Sequence, residues 1–243
     1  METAPFVRRY RPSDRAELAD ICVKTAHEGG DSSPLYPDPE LMPVLFAYPY
    51  VELEPDFAFV LDDGAGRAVG YVLGVPDTAG FAARFREEWL PRAAERFPAP
   101  AGVPCTPAES MAVLLHTPEH MVRGELTGHP AHLHIDLLPS WQGRGYGRAL
   151  MDTLLAALHA HGVPAVHLCM VQANTAARAF YDRLGFEALH VPDPGPVWHL
   201  GRPTAQAAAQ HSPSGPPPAT EPAAGGPGGG LQPSRGASQS SSA

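Results

Sequence analysis

Residues His132 to Gly162 read HLHIDLLPSWQGRGYGRALMDTLLAALHAHG, and the rest of the chain can be placed outward from them. His132 to Leu138 alternates and is rich in apolar residues, which predicts a strand, and Pro139-Ser140 ends it. Leu150, Met151, Leu154, Leu155 and Leu158 then recur at helical spacing on one face, with Gly162 as a C-terminal stop. Between strand and helix lies Gln142-Gly143-Arg144-Gly145-Tyr146-Gly147. Glycines that open a helix bring backbone N–H groups up to a phosphate, because no Cβ blocks the approach and the helix start carries partial positive charge.

That pattern predicts a pyrophosphate ligand. A P-loop is excluded, since Arg148 and Ala149 follow Gly147 where Lys and then Ser or Thr are required. The dinucleotide fingerprint is excluded too, because after Gly143 and Gly145 the small residue Ala149 comes one place late. A merely flexible turn is the plain alternative for this segment alone.

The following segment weighs against that alternative. Ala165 to Met170 reads as a short strand, and Asn174-Thr-Ala-Ala-Arg178-Ala-Phe180-Tyr181-Asp-Arg-Leu184-Gly185-Phe186 as a helix closed by a glycine and re-entering a strand. The two segments together resemble the GNAT superfamily of acyl-CoA-dependent N-acetyltransferases. In that family a Gln/Arg-x-x-Gly-x-Gly/Ala turn holds the CoA pyrophosphate, matched here by Gln142, Gly145 and Gly147. Its second signature, an Asn followed by Phe-Tyr and Leu-Gly-Phe, matches Asn174, Phe180, Tyr181, Leu184, Gly185 and Phe186.

The resemblance implies an α/β fold: a mixed, mostly antiparallel sheet with splayed central parallel strands, flanked by helices. It implies acetyl-CoA as cosubstrate, with the pantetheine arm in the splay. The cofactor would be held by Gln142, Gly143, Arg144, Gly145, Tyr146, Gly147 and Arg148, and by Asn174, Phe180 and Tyr181 from the second signature. Backbone N–H groups of Leu137 and Leu138 would bind the thioester carbonyl, and Tyr181 would protonate the leaving thiolate. A tyrosine with a pKa of about 10 stays protonated at neutral pH, as that role requires; its plain alternative is packing. Many family members carry an acid near the start of the strand before the glycine turn, where Ala131 stands here. His134, titrating near neutrality, and Asp136 are the nearest candidate bases, with Asp77 a third; a water relay is an alternative.

Outside these segments the signals are weaker. Phe6 to Tyr10 reads as a first strand, and Ser13 to Glu17 as a cap leading into a helix with Leu18, Ile21 and Cys22 on one face. His27 to Pro55 is proline-rich, with a short helix expected at Leu41 to Phe46. Phe57 to Leu61 and Ala68 to Val75 flank an Asp-Gly turn and predict a hairpin. Phe81, Phe85 and Trp89 mark an amphipathic helix interrupted or ended near Pro91, and Thr106-Pro107-Ala108-Glu109 is a capping box that opens another. Tyr36 to Glu40 and Trp89 to Arg92 look similar to the acetyltransferase-like domain at the C-terminus of O-GlcNAc hydrolases.

Length and composition predict one domain, residues 1–202, and a disordered tail, residues 203–243. The tail is Pro, Gly, Ala, Ser and Gln with little to bury. The net charge of -9 excludes a general nucleic-acid binder, which needs clustered Lys and Arg, and is compatible with a cationic amine. No apolar run approaches the ~20 residues of a membrane span, and METAPFVRRYRPSD lacks the apolar core of a leader, so a cytoplasmic protein is expected. Cys22, Cys105 and Cys169 form no close pair and are expected as reduced core thiols. His116 and His120 have helical spacing, but Pro118 between them argues against a metal site. The expected partner is a small-molecule or peptide amine. Two functions fit: an N-acetyltransferase, and an idle module of the same fold that binds CoA or a protein.

Overall fold

The computed structural model describes residues 3–205. Seven strands, β1 (Phe6–Arg9), β2 (Ala58–Asp62), β3 (Ala68–Val75), β4 (Ala131–Leu137), β5 (Ala165–Val171), β6 (Glu187–Ala188) and β7 (Val197–Pro203), form one sheet. Its order is β1-β2-β3-β4-β5-β7-β6, and every neighbouring pair is antiparallel except β4 with β5. The parallel pair is short. It joins only Ala131 to Val166 and His132 to His167, after which β4 and β5 part.

Helices cover both faces. On one face α1 (Arg15–Thr25), α2 (Leu41–Phe46), α3 (Tyr48–Leu53), α4 (Thr78–Arg84), α5 (Leu90–Arg96) and α6 (Pro107–Leu115) share a core with Tyr71, Leu73 and Val75 of β3. On the other, α7 (Tyr146–Ala160) inserts Leu150, Met151, Leu154, Leu155 and Leu158, all buried, against Val72, Leu133 and Val166. The α7 periodicity read from the sequence is therefore its buried stripe. Helix α8 (Thr175–Arg183) contributes Tyr181 to the same core, with Leu184 following it.

Several sequence expectations are corrected. Of the two alternatives for the helix carrying Phe81, Phe85 and Trp89, the structure has the interruption and not the end: α4 runs through a π-helical turn, Phe85–Trp89, into α5, where Pro91 sits in the first turn. Proline has no N–H to give the carbonyl one turn back, and the wider turn accommodates the lost bond. The expected cap at Asp14 makes no side-chain bond to its helix. Its carboxylate instead accepts from Arg8 Nη1 at 2.7 Å and Nη2 at 2.9 Å, while Arg8 Nε donates to Asp62 at 2.7 Å. Helix α3 is a second helix in the stretch expected to hold only one, with Pro49 in its first turn, where the missing N–H has no helical partner to lose. Only Cys22 of the three thiols is buried; Cys105 and Cys169 are exposed. The folded chain also passes the expected boundary at residue 202. Strand β7 continues through Pro203, and the buried Thr204 hydroxyl donates to the carbonyl of Val163 at 2.5 Å. Residues from 206 onward, most of the predicted tail, lie outside the described residues.

Candidate active site

The parting of β4 and β5 opens a cleft of about 660 Å³. Leu133 to Leu137 form one wall and Leu168 to Val171 the other, with the glycine turn, α8 and the end of α1 closing it. Antiparallel pairing decides what β4 offers there. The Leu138 N–H donates to Val69 O at 3.0 Å, so alternate residues of β4 turn their backbone groups to β3 and the intervening ones turn theirs to β5. Leu137 and Ile135 thus aim N–H groups at a neighbour strand that has moved away. Of the two donors expected from sequence, Leu137 is free and Leu138 is not: its N–H is committed to the sheet.

At one end of the cleft stands the start of α7. Gly145 caps the helix with φ 87°, and Gly143 has φ 72°, left-handed conformations that favour glycine. The first helical bond is Ala149 N–H to Gly145 O, so the N–H groups of Tyr146, Gly147 and Arg148 have no partner within the helix, and no side chain caps them. Gln142 Nε2 donates to Leu137 O at 2.8 Å, tying the turn to the strand end. Arg148 Nη2 donates to Arg183 O at 3.0 Å, and Arg144 lies over the Trp141 ring, which also meets Tyr146. Leu138, Arg144 and Tyr146 do not line the cleft, whereas Gln142, Gly143, Gly145, Gly147 and Arg148 do.

Helix α8 is held against this turn. Asn174 caps it, Oδ1 accepting from Ala177 N–H at 3.0 Å, and the Phe180 ring packs over Gly147. Tyr181 is 8% exposed and lines the cleft. Burial raises its phenol above the usual range, and the Asp136 carboxylate raises it further.

The opposite side carries His134 and Asp136, two apart on β4 and so on one face. Burial pushes His134 down to about 4, so the expectation that it titrates near neutrality is corrected: it is neutral at physiological pH. Burial raises the Asp136 carboxyl, opposed by the neighbouring Tyr71 and Thr25 hydroxyls. Asp77 is no candidate base. Its carboxylate caps α4 by accepting from Ala79 N–H at 3.1 Å, and it is not among the cleft residues. Sequence reading missed Tyr50, whose hydroxyl meets His134 Nε2 at 2.9 Å, and Glu28, which lines the cleft beyond α1. No local pattern points to either, because each reaches the site through the packing of the first helices.

His116 Nε2 donates to Phe97 O and His120 Nδ1 to Thr117 O. Among the described residues no group of three or more His, Cys, Asp or Glu is arranged to hold a metal ion, and no helix is long and apolar enough to cross a membrane.

A parallel strand pair that parts beside an uncapped helix start leaves a cleft with free N–H groups at one end, which suits a ligand carrying a pyrophosphate. The chain belongs to the acetyltransferase (GNAT) family, whose model matches residues 28–186. The crystal structure of SsHAT is 62% identical over 84% of this chain and all of that one, with a TM-score of 0.82. Mycothiol acetyltransferase of Beutenbergia cavernae is 47% identical over 53 residues, which are 22% of this chain and 18% of that protein. The [ribosomal protein bS18]-alanine N-acetyltransferase of Haemophilus ducreyi is 34% identical over 53 residues, 22% of this chain and 37% of that protein. Both curated relatives are thus matched over less than half their length. The family's acetyl donor is acetyl-CoA. The free N–H groups of α7, the bare glycine turn and the cleft behind them fit its pyrophosphate and arm.

Proposed function

We propose that this protein transfers an acetyl group from acetyl-CoA to a primary amine by direct attack on the thioester. The observation that carries this reading is that the free Leu137 N–H, the Tyr181 side chain and the His134–Asp136 pair all face one cleft. A relative named for N-acetylation of an alanine supports an amine as acceptor. So does the distribution of charge, with Arg148 and Arg183 near the glycine turn and Glu28 and Asp136 toward α1, where a cationic amine is drawn in.

The uncapped N–H groups of Tyr146, Gly147 and Arg148 hold the pyrophosphate, and the N–H groups of Leu137 and Ile135 polarise the thioester carbonyl where negative charge develops. The amine nitrogen bonds to the acetyl carbon and loses its proton on the His134–Asp136 side. The carbon–sulfur bond breaks, and the sulfur takes the proton of the Tyr181 hydroxyl. Burial raises that phenol, but it also raises the basicity of a thiolate formed in the same dry gap, so the two remain matched. Tyr181 is then reprotonated from solvent. Free, unpaired cysteines agree with a cytoplasmic setting.

The test measures release of free CoA thiol from acetyl-CoA with a panel of alkylamines and of lysine- and alanine-terminated peptides. Turnover is expected with at least one of them. Binding of acetyl-CoA without turnover of any would leave the chain a binding module.

A further inference from the structure

Four side chains drawn from three distant parts of the chain form one hydrogen-bonded row that ends at the cleft. Thr78 Oγ1 lies 2.7 Å from Pro130 O and 2.9 Å from His132 Nδ1. His132 Nε2 lies 3.1 Å from Tyr50 Oη, which in turn lies 2.9 Å from His134 Nε2. Phe81 packs against the His132 and Tyr50 rings and Phe46 against His134. The row is enclosed by aromatic faces that offer no competing hydrogen bond.

Donor and acceptor accounting fixes the direction of every proton in it. A carbonyl oxygen only accepts, so the 2.7 Å contact with Pro130 requires the Thr78 hydroxyl proton. Thr78 has then no proton left, and His132 must donate to it from Nδ1. His132 is buried and held neutral, so its Nε2 bears a lone pair and accepts from the Tyr50 hydroxyl. Tyr50 is likewise held protonated by burial. Its oxygen accepts from Nε2–H of His134. The last member of the row is a neutral imidazole whose proton is on Nε2, and its Nδ1 keeps a lone pair with no hydrogen bond to any described residue.

We infer that Thr78, His132 and Tyr50 are positioning residues that hold His134 in the Nε2–H tautomer, and that His134 Nδ1 takes the acceptor amine's proton. This rests on the acetyl-transfer reading above and selects between the two groups that face the amine. Protonation of Nδ1 requires no rearrangement, because Nε2 already donates into the row. Each donor in turn sharpens the next acceptor, so the Tyr50 oxygen stabilises the imidazolium more than an isolated hydroxyl would. The amine proton passes to Nδ1 as the nitrogen–carbon bond forms, and leaves to solvent after product departs. The row ends on a carbonyl, so it orients His134 and does not conduct the proton away.

Long-range proton–nitrogen NMR of the full chain reads both tautomers with no acceptor present. His132 is expected as Nδ1–H and His134 as Nε2–H, and Tyr50→Phe, which keeps the ring, should leave His134 a mixture. Thr78→Val, which frees His132 Nδ1, should do the same if Tyr50→Phe does not fold. His134 as Nδ1–H, or unchanged tautomers in both variants, would overturn the positioning role. With the best amine of the thiol-release panel, Tyr50→Phe should lower kcat on the order of 10-fold, a part of the factor a general base supplies, with KM for acetyl-CoA unchanged. On a His134→Ala background the same change should have no effect; a persisting 10-fold loss would overturn action through His134. The two NMR tautomers with no amine turned over would remove the proton-accepting role and the acetyl-transfer reading together, whereas turnover unaffected by His134→Ala would remove the former alone.

Discussion

The ring of Phe180 occupies the space a side chain at Gly147 would need: a Cβ built there stands 3.1 Å from both Cε2 and Cζ. The absence of a side chain in the first turn of α7 thus serves two ends at once. It leaves the helix N–H groups open to an anion, and it lets α8 lie close enough to bring Tyr181 into the cleft.

Gly147→Asp should therefore do more than repel phosphate. Displacing Phe180 is an overpacking change that costs about 1 to 3 kcal/mol, so the unliganded protein should already melt lower. The rise in melting temperature that acetyl-CoA gives the wild type by mass action should be absent. A variant that melts like the wild type and still gains stability from acetyl-CoA would show that neither contact matters.

Tyr181→Phe removes a proton and keeps a buried ring. Turnover should fall by about 100- to 10,000-fold, the range for a lost acid catalyst, with acetyl-CoA affinity held. Steady-state rates with an accepted amine, alongside binding isotherms, check both halves. Equal rates would reduce Tyr181 to packing.

Stability should fall on acidification from neutral pH. His134 is pushed down to about 4, and His132 and His167 are also lowered by burial, so between the ordinary histidine range near 6.5 and these depressed values the unfolded chain binds more protons than the folded one. Their stabilising contribution is whole above pH 6.5 and is lost as pH drops through that window. Asp136 and Glu54, raised by burial, act in the opposite sense between their ordinary and raised values. Melting curves from pH 7.5 to 5 should show a decline that His134→Phe makes shallower; a flat profile would contradict the burial of these rings.

Arg8 is the shared partner of two buried carboxylates, Asp14 and Asp62. Arg8→Ala leaves both unpaired, which costs on the order of 3 to 5 kcal/mol. Urea unfolding should report that loss. A change below 1 kcal/mol would mean the carboxylates find other partners.

Ending the chain after Ala205 should leave melting temperature and acetyl-CoA binding unchanged, because the residues removed are poor in apolar groups. Ending it before Pro203 should lower stability by about 1 to 2 kcal/mol, since Thr204 and its bond to Val163 are removed. Any drop in melting temperature beyond measurement error on ending the chain after Ala205 would show that the residues removed stabilise the domain.

The sequence alone determined what is local. Leucines spaced along α7, glycines at a strand-to-helix turn, the Thr106 capping box and the hairpin between β2 and β3 each state their conformation within a dozen residues, because the backbone and its nearest side chains decide it. The glycine turn and the Asn174-to-Phe186 segment were legible as a pair for that reason. What the sequence could not state depends on which atoms meet across the chain. Leu138 looks like a free donor in the sequence, but pairing with Val69 takes its N–H, and Asp77, a third candidate base, caps α4 instead. His134 looked like a group titrating near neutrality. Only the packing of α2 and α3, bringing Phe46 and Tyr50 onto its ring from more than eighty residues away, dries the site, lowers its basicity and fixes which of its nitrogens is bare.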